Sequence, residues 1–513
     1  MRAKSVCLAA LAGLIGPVAT AEAQPGPDDG VAREASGGDS EEASTPADDL
    51  LFATGLRPIG KRRLEAIAEA GTTTQTASVR ASSTYGGMGF ELTGGFDVRD
   101  FRTGQLDSDT TSGRYGARIT RGNLSAELFG QTSSLHIDSA LTGQAVSVPT
   151  STLGARLHAR SGRLRTFGIE HELAGGIGYV AASGELDEQD PNDQTHMVAP
   201  LRTSRGEHRF LDAYLRDTVR VIESLDVSTG FVIDKWSFLN GTTALRYGIY
   251  DEMEVEYPSI TDIEFEPQLG ALYRIDDTLA LAARGTRAMR APTLGELYRP
   301  ILEGDAATAA NPTLRPESVW SAEVGPQITA GAIEARAYFY RNEIDAPIAS
   351  VDTAGGTRQR ANLGHAAVTG VVTEASWRPA KAWLATVEYT FAASTITDAG
   401  AMAPGDVVGK RLALTPRNRV TAILTYDNPR IVTVTGAVRY VGRQFADAEN
   451  SASLGAYTLV DAMVARKIHG GLAGFVAVEN LLDRRYLASA ASFDTYGAPR
   501  SVHLGLRLDT ARF

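Results

Sequence analysis

The chain has 513 residues, a net charge of −11 and a mean hydropathy of −0.13. That balance leaves no electrostatic footprint for nucleic acid. One cysteine, Cys7, also excludes a disulfide framework and a cysteine-ligated metal site. After the N-terminus, no apolar run is long enough for a transmembrane helix. A transmembrane β-barrel escapes that test, because lipid-facing apolar residues alternate with lumen-facing polar ones and each segment averages to near neutral.

The N-terminus reads as an export signal over residues 1–23. Arg2 and Lys4 give a positive start, Val6 to Val18 is a short apolar run, and Ala21-Glu22-Ala23 supplies small residues for cleavage before Gln24. Cys7 stands at the front of the apolar run, so it is no lipoprotein acceptor and leaves with the signal. Residues 24–70 read as an acidic, disordered linker. Between Pro25 and Leu50 eight acids face one base, with Gly, Ser, Pro and Ala filling the rest, a self-repelling composition. Lys61-Arg62-Arg63 followed by Leu64 to Ala70 reads as a short helical turn.

From Gly71 to the end, period-two alternation recurs. Phe90, Leu92, Phe96 and Val98 oppose Glu91, Thr93, Asp97 and Arg99. Leu153, Ala155, Leu157 and Ala159 oppose Arg156, His158 and Arg160. Ile333, Ala335, Ala337 and Phe339 oppose Glu334, Arg336, Tyr338 and Tyr340. A helical step of about 100° would scatter these apolar residues around the axis. The segments reach about ten residues, enough for a tilted strand to cross the hydrocarbon. Tight turns at Asp427-Asn428-Pro429 and Lys467 to Gly471 alternate with long loops at Thr395 to Pro416 and Phe445 to Gly455, the rhythm of short periplasmic turns and long outer loops. Trp377 and Trp383 flank a short turn on the apolar parity of their strands, where interfacial aromatics belong. No repeat of 20–50 residues is visible, which speaks against an exported soluble propeller.

The predicted fold is therefore all-β: a transmembrane antiparallel barrel over residues 71–513. About nineteen strands can be placed, and closure with both ends in the periplasm needs an even number. The expectation is 20–22, with a strand missing near the start or inside Asp187 to Gly206 or Asn240 to Tyr257.

Several stretches, taken in order, resemble the barrel of TonB-dependent receptors. These are Arg290-Ala291-Pro292-Thr293-Leu294-Gly295-Glu296-Leu297-Tyr298, then Asn311-Pro312-Thr313-Leu314-Arg315-Pro316-Glu317 with Glu323 and Gly325. Asn362, Gly370 and Pro416-Arg417-Asn418 follow, then Val441-Gly442 with Asp447, Asn450 and Tyr457. The last are Glu479-Asn480-Leu481-Leu482-Asp483 with Tyr486, and Pro499-Arg500. The likeness covers about Leu279 to Leu508. The same residues read as architecture, since loop prolines stop pairing and Asn and Asp side chains cap turns.

The resemblance implies an outer-membrane receptor that takes up a scarce ligand, such as a siderophore–iron complex or cobalamin, in partnership with TonB and the outer-membrane assembly machinery. Such receptors carry an N-terminal plug, for which residues 24–70 leave no room. Leu50, Leu51, Phe52, Ala53, Thr54 and Gly55 look like the stretch around a TonB box, an extended segment that adds to the partner's sheet; a plain linker explains them too. Phe513 supplies the terminal aromatic of barrel assembly, out of parity with Val502, Leu504, Leu506 and Leu508. No catalytic residue, metal ligand or cofactor site is predicted. The eight histidines lack paired ligand spacing, and Ser501 with His503 is the nearest approach to an enzyme pair. Two function classes follow: a ligand-uptake receptor, or a plugless passive pore or degenerate receptor.

Overall fold

The computed structural model describes residues 63–71, 74–102, 106–139, 145–189, 202–247, 251–298, 301–303, 306–352, 358–401, 405–428, 430–489 and 495–509. The export signal, the acidic linker, the Leu50 to Gly55 segment and Phe513 lie outside them.

The wall is one sheet of twenty-two segments. Two strands are interrupted, so the described residues cross it twenty times. In order these are β1 Arg63–Gly71, β2 Thr74–Tyr85, β3 Met88–Arg102, β4 Leu106–Arg121, β5 Leu124–Ser139, β6 Ala145–Arg160 resuming at Leu164–Thr166, β7 Ile169–Glu188, β8 Arg202–Ile222 and β9 Leu225–Tyr247. Next come β10 Asp251–Glu256 resuming at Ile260–Arg274, β11 Leu279–Arg290, β12 Glu317–Ala330, β13 Ile333–Asp345, β14 His365–Ala380 and β15 Trp383–Asp398. The last are β16 Asn418–Asn428, β17 Val432–Val441, β18 Tyr457–His469, β19 Leu472–Glu479 and β20 Ser501–Asp509. Each strand pairs antiparallel with the next, and β1 pairs with β20 from Glu65 opposite Asp509 to Gly71 opposite His503. The ring closes on an even count, as antiparallel closure requires.

The strand missing from the sequence reading is β1. Leu64 to Ala70 is not a helical turn but wall, and the barrel begins at Arg63 instead of Gly71. Local composition favoured a helix because Ala and Glu are strong helix formers. The free edges of β2 and β20 decide otherwise, since unpaired backbone groups facing lipid are costly.

The alternation seen in the sequence is the two faces of this wall. Leu92, Phe96, Leu153, Leu157, Phe339, Leu424, Leu504 and Leu506 are exposed on the outer face, where lipid replaces water. Trp377 and Trp383 are exposed there too, beside the turn joining β14 to β15. Strand-parity partners point inward, and Tyr338, Tyr340, Asp97 and Arg336 lie on the lumen side.

One seam departs from the regular ladder. Pairing between β10 and β11 stops at Gln268 opposite Thr286, because the next residue, Pro267, has no N–H to give. Side chains stitch the remainder. The Met289 N–H donates to Glu266 Oε1 (2.7 Å), and Arg287 donates to Glu264 Oε2 (2.7 Å) and to the Phe265 carbonyl (2.8 Å).

Candidate functional site in the barrel lumen

The outer connections after β11, β13, β15, β17 and β19 are long, and much of what they carry is buried. After β11 the chain leaves the wall at Ala291-Pro292 and forms the one-turn helix α1, Leu294–Tyr298. Its start is a reciprocal capping box: the Glu296 N–H donates to Thr293 Oγ1 (3.1 Å), and the Thr293 N–H donates to Glu296 Oε2 (2.8 Å). Arg290 then ties the loop to the wall. It donates to Glu296 Oε2 (3.0 Å) and Oε1 (3.3 Å), and its Nε donates to Glu317 Oε2 (2.7 Å). Glu317 also accepts the Ile348 N–H (2.5 Å), and Arg360 donates to the Gly295 carbonyl (2.6 Å).

Burial pushes the Glu296 carboxyl up. The charge and hydrogen bonds of Arg290, the Thr293 N–H and the charge of Arg360 outweigh it and hold the group below its ordinary value. Buried ion pairs persist only when geometry and further hydrogen bonds offset desolvation, and this one has both.

The other motif residues act in the same way. Asn311 donates to the Arg360 carbonyl (2.9 Å) and accepts from the Thr313 N–H (3.0 Å). Asn362 donates to the Arg315 carbonyl (2.9 Å) and the Ala346 carbonyl (2.8 Å). Asp447 receives the N–H groups of Ser451 and Ala452, both at 2.8 Å. Asn480 donates to the carbonyls of Arg484 and Ala498, both at 3.0 Å. Asn450, Asn480 and Asp483 take positive φ values of 56°, 46° and 51°, the left-handed region that Asn and Asp tolerate best. Tyr486 stacks on Tyr457 at 4.1 Å between ring centres, and burial pushes its phenol up to about 12. The resemblance motifs are thus the fasteners that hold the outer loops.

Two apolar clusters lie beneath those loops. One joins Leu294, Leu297, Tyr298 and Leu314 of the first loop to Val180, Phe210, Trp236 and Phe238 of β7 to β9; the other joins Val351, Leu363, Val407 and Leu412 to β12 to β15. Gly206 and Gly241 are needed where Tyr298 crosses the wall, because an added Cβ would stand 2.6 Å and 2.5 Å from its ring.

Under the roof formed by α1, neighbouring strands align side chains in rungs. His208 faces Phe238, Phe210 faces Trp236, and Asp212 faces Asp234, which on its other side faces Glu264. His208, Phe210, Asp212, Trp236, Phe238, Asp234 and Glu266 are all buried. Sequence reasoning did not single out these residues. A signal was present, for Phe231 to Ile233 and Trp236 to Phe238 interrupt strict alternation: a lumen face that carries Val232, Trp236 and Phe238 must be covered by something other than water.

Ser501 and His503 fall on the lumen face of β20, as their parity predicts. The Ser501 hydroxyl lies 2.9 Å from His503 Nε2. Glu479 lies on the same side of the imidazole, 3.4 Å from the hydroxyl and 3.8 Å from Nε2. A relay needs the carboxylate on the opposite ring nitrogen to orient the base. This trio is a polar brace between β19 and β20. Among the described residues no group of three or more His, Cys, Asp or Glu side chains could hold a metal ion.

A closed barrel with a lipid-facing apolar exterior, long outer loops fastened into its mouth and a polar lumen defines the outer-membrane receptor and channel class. The family model for the TonB dependent receptor-like β-barrel matches residues 28–481, and the chain belongs to that family. The match begins inside the segment read as an acidic linker. The family is one of outer-membrane receptors of Gram-negative bacteria, not of enzymes.

Among curated proteins, the ferrioxamine B receptor of Salmonella typhimurium (strain LT2) is 36% identical over 104 residues, 18% of this chain and 15% of the relative. The ferrioxamine receptor of Yersinia enterocolitica is 29% identical over 109 residues, 20% of this chain and 15% of the relative. The aligned part is thus under a sixth of those receptors. Among solved structures, a copper transporter superposes with a TM-score of 0.66 at 15% identity, covering 88% of this chain and 81% of its own. A ferric yersiniabactin uptake receptor from Yersinia pestis gives 0.61 at 17% identity, with 88% and 81% covered. A siderophore receptor from Acinetobacter baumannii gives 0.62 at 13% identity, with 88% and 82% covered. At such identities these likenesses speak for the fold.

Proposed function

We propose that the chain takes up a scarce ligand across the outer membrane, in the manner of a siderophore receptor, with a siderophore–iron complex or cobalamin as the ligand class. The observation that carries this reading is the fastened loop layer. Arg290, Glu296, Glu317 and Arg360 fix a buried roof over the lumen wall, and a hole that only passes small solutes has no need of one. Its likeness to ferrioxamine receptors points the same way. Leu50, Leu51, Phe52, Ala53, Thr54 and Gly55 are the proposed contact with TonB, adding as an extended segment to the partner's sheet.

A second reading, a passive pore or degenerate receptor, is favoured by one feature: the described residues make wall and loops, and none of them forms a separate domain inside the ring. Cells bearing the barrel, given a radiolabelled ferric hydroxamate, should accumulate iron only when TonB is present. TonB-independent accumulation, together with a large and constantly open conductance in planar bilayers, would establish the pore instead. Pull-down with the periplasmic domain of TonB tests the segment; a chain with residues 50–55 replaced by Gly and Ser should lose capture.

A further inference from the structure

The rungs on β8 to β10 bring acids face to face on the lumen wall. Side chains directly opposite on neighbouring antiparallel strands have Cβ atoms about 5 Å apart, and like charges so placed destabilise the pair. Asp234 faces Asp212 on one side and Glu264 on the other. Two of the nearby acids have an occupation. Glu264 receives Arg287, and Glu266 receives the Met289 N–H across the seam. Asp212 has Arg156 in its field. Among the described residues, the charges that bear on Asp234 are the acids Glu266, Asp212 and Glu264. Asp234 is 2% exposed, and its Oδ1 has no hydrogen-bond partner among the described residues.

The rung next to it is aromatic. Phe210 and Trp236 stand two residues along from Asp212 and Asp234 on the same face, about 7 Å away. Trp236 is 2% exposed, and its indole Nε1 also lacks a hydrogen-bond partner among the described residues. Acids one rung from an aromatic pair can hold an organic cation, which gains an ion pair there and the ring quadrupole where it comes within about 6 Å of a ring. The indole N–H asks in addition for an acceptor about one rung away. A metal ion does not fit this demand, since it would need several acidic or imidazole ligands converging on one point, and no such group exists among the described residues.

We propose that Asp234 with Asp212, Phe210 and Trp236 forms a subsite on the lumen wall for an ammonium-bearing organic solute that carries a neutral oxygen acceptor near its charge. The ammonium sits at the acid rung against the aromatic pair, and the acceptor takes the Trp236 N–H. Helix α1 roofs the aromatic rung through Leu294, Leu297 and Tyr298, so occupation of the subsite also steadies the loop. The proposal rests on reading the lumen as a path for solutes. Its test needs neither TonB nor transport, so the two ideas fail separately.

Trp236 makes the subsite readable. Trp320, Trp377 and Trp383 are 53%, 52% and 41% exposed on the lipid face, whereas Trp236 points into the lumen. The full chain in detergent micelles is titrated with 6-aminohexanamide, and with hexanamide as the uncharged partner. A saturable change in tryptophan emission is expected with the first and none with the second. Asp234→Asn should weaken the response at least tenfold, with folding checked by heat-modifiable gel mobility, and Trp236→Phe should abolish the optical signal. Limited proteolysis within residues 291–316 should slow when the amine is bound. Equal responses to the two amides overturn the proposal, as does the absence of any saturable response in the unsubstituted chain. A stronger, competing response to calcium chloride would show a metal site and overturn it too.

Discussion

The two halves of the barrel share one wall and differ in what stands on it. From β2 to β6 the outer connections are residues 103–105 and 140–144, and an ion pair on the inner face stands open to solvent. Arg118 and Glu127, 3.0 Å apart, keep 46% and 31% of their side chains exposed. From β11 onward the connections run over residues 291–316, 346–364, 399–417, 442–456 and 480–500. There a pair beneath the loops is covered: Arg290 and Glu317, 2.7 Å apart, keep 14% and 7%. Both halves solve the lipid problem identically, through outward apolar parity. They differ in dielectric surroundings inside, and so in what a single side chain is worth.

The largest expected effect comes from removing the buried cation. Arg290→Ala takes from Glu296 and Glu317 the cation they share and should cost about 3–5 kcal/mol, whereas Arg118→Ala should cost about 0–1 kcal/mol. Thermal unfolding of the refolded barrel measures both, and equal costs would erase the distinction between the halves. Next is Leu297→Ala, which empties a fully buried position under the roof and should cost about 2–5 kcal/mol. Limited proteolysis should show residues 291–316 released while heat-modifiable mobility, the mark of the wall, remains.

A substitution on the lipid face should ignore the distinction. Leu153→Arg and Leu424→Arg, one in each half, should each cost about 2–4 kcal/mol near the bilayer midplane; a large inequality would mean that one of them does not face lipid. Thr293→Ala removes the cap of α1 and should cost about 1 kcal/mol, raising cleavage in the loop without touching assembly.

The smallest effect is a pH dependence. Glu296 is held below its ordinary value of 4.5, so its contribution is full above about 4.5 and fades as pH falls through the lower folded value. Loop cleavage by an acid protease should therefore rise on acidification below that range, and Glu296→Gln should flatten the profile.

The sequence reading reached the wall because barrel strands carry a local code. Leu153 to Arg160 or Ile333 to Tyr340 alternate whatever their neighbours do, since each residue faces either lipid or lumen. The same reading stopped at β1, where Leu64 to Ala70 has the composition of a helix and becomes a strand only between the edges of β2 and β20. It saw the resemblance motifs as turn and loop chemistry, and the bonds of Asn311, Asn362, Asp447 and Asn480 confirm that role. It could not show that Arg290 and Glu317 meet, which the β11–β12 register decides, or that Arg360 joins them, which loop folding decides.

By itself, then, the sequence determined the faces of the strands, the rhythm of short turns and long loops, and the family likeness, all properties of residues near one another along the chain. Register and closure decided the rest. Twenty crossings and the β1–β20 pairing exist because no edge can be left unpaired in lipid. The row of Asp212, Asp234 and Glu264 exists because three strands, separated in sequence by their own hairpins, align those acids at one height on the lumen wall.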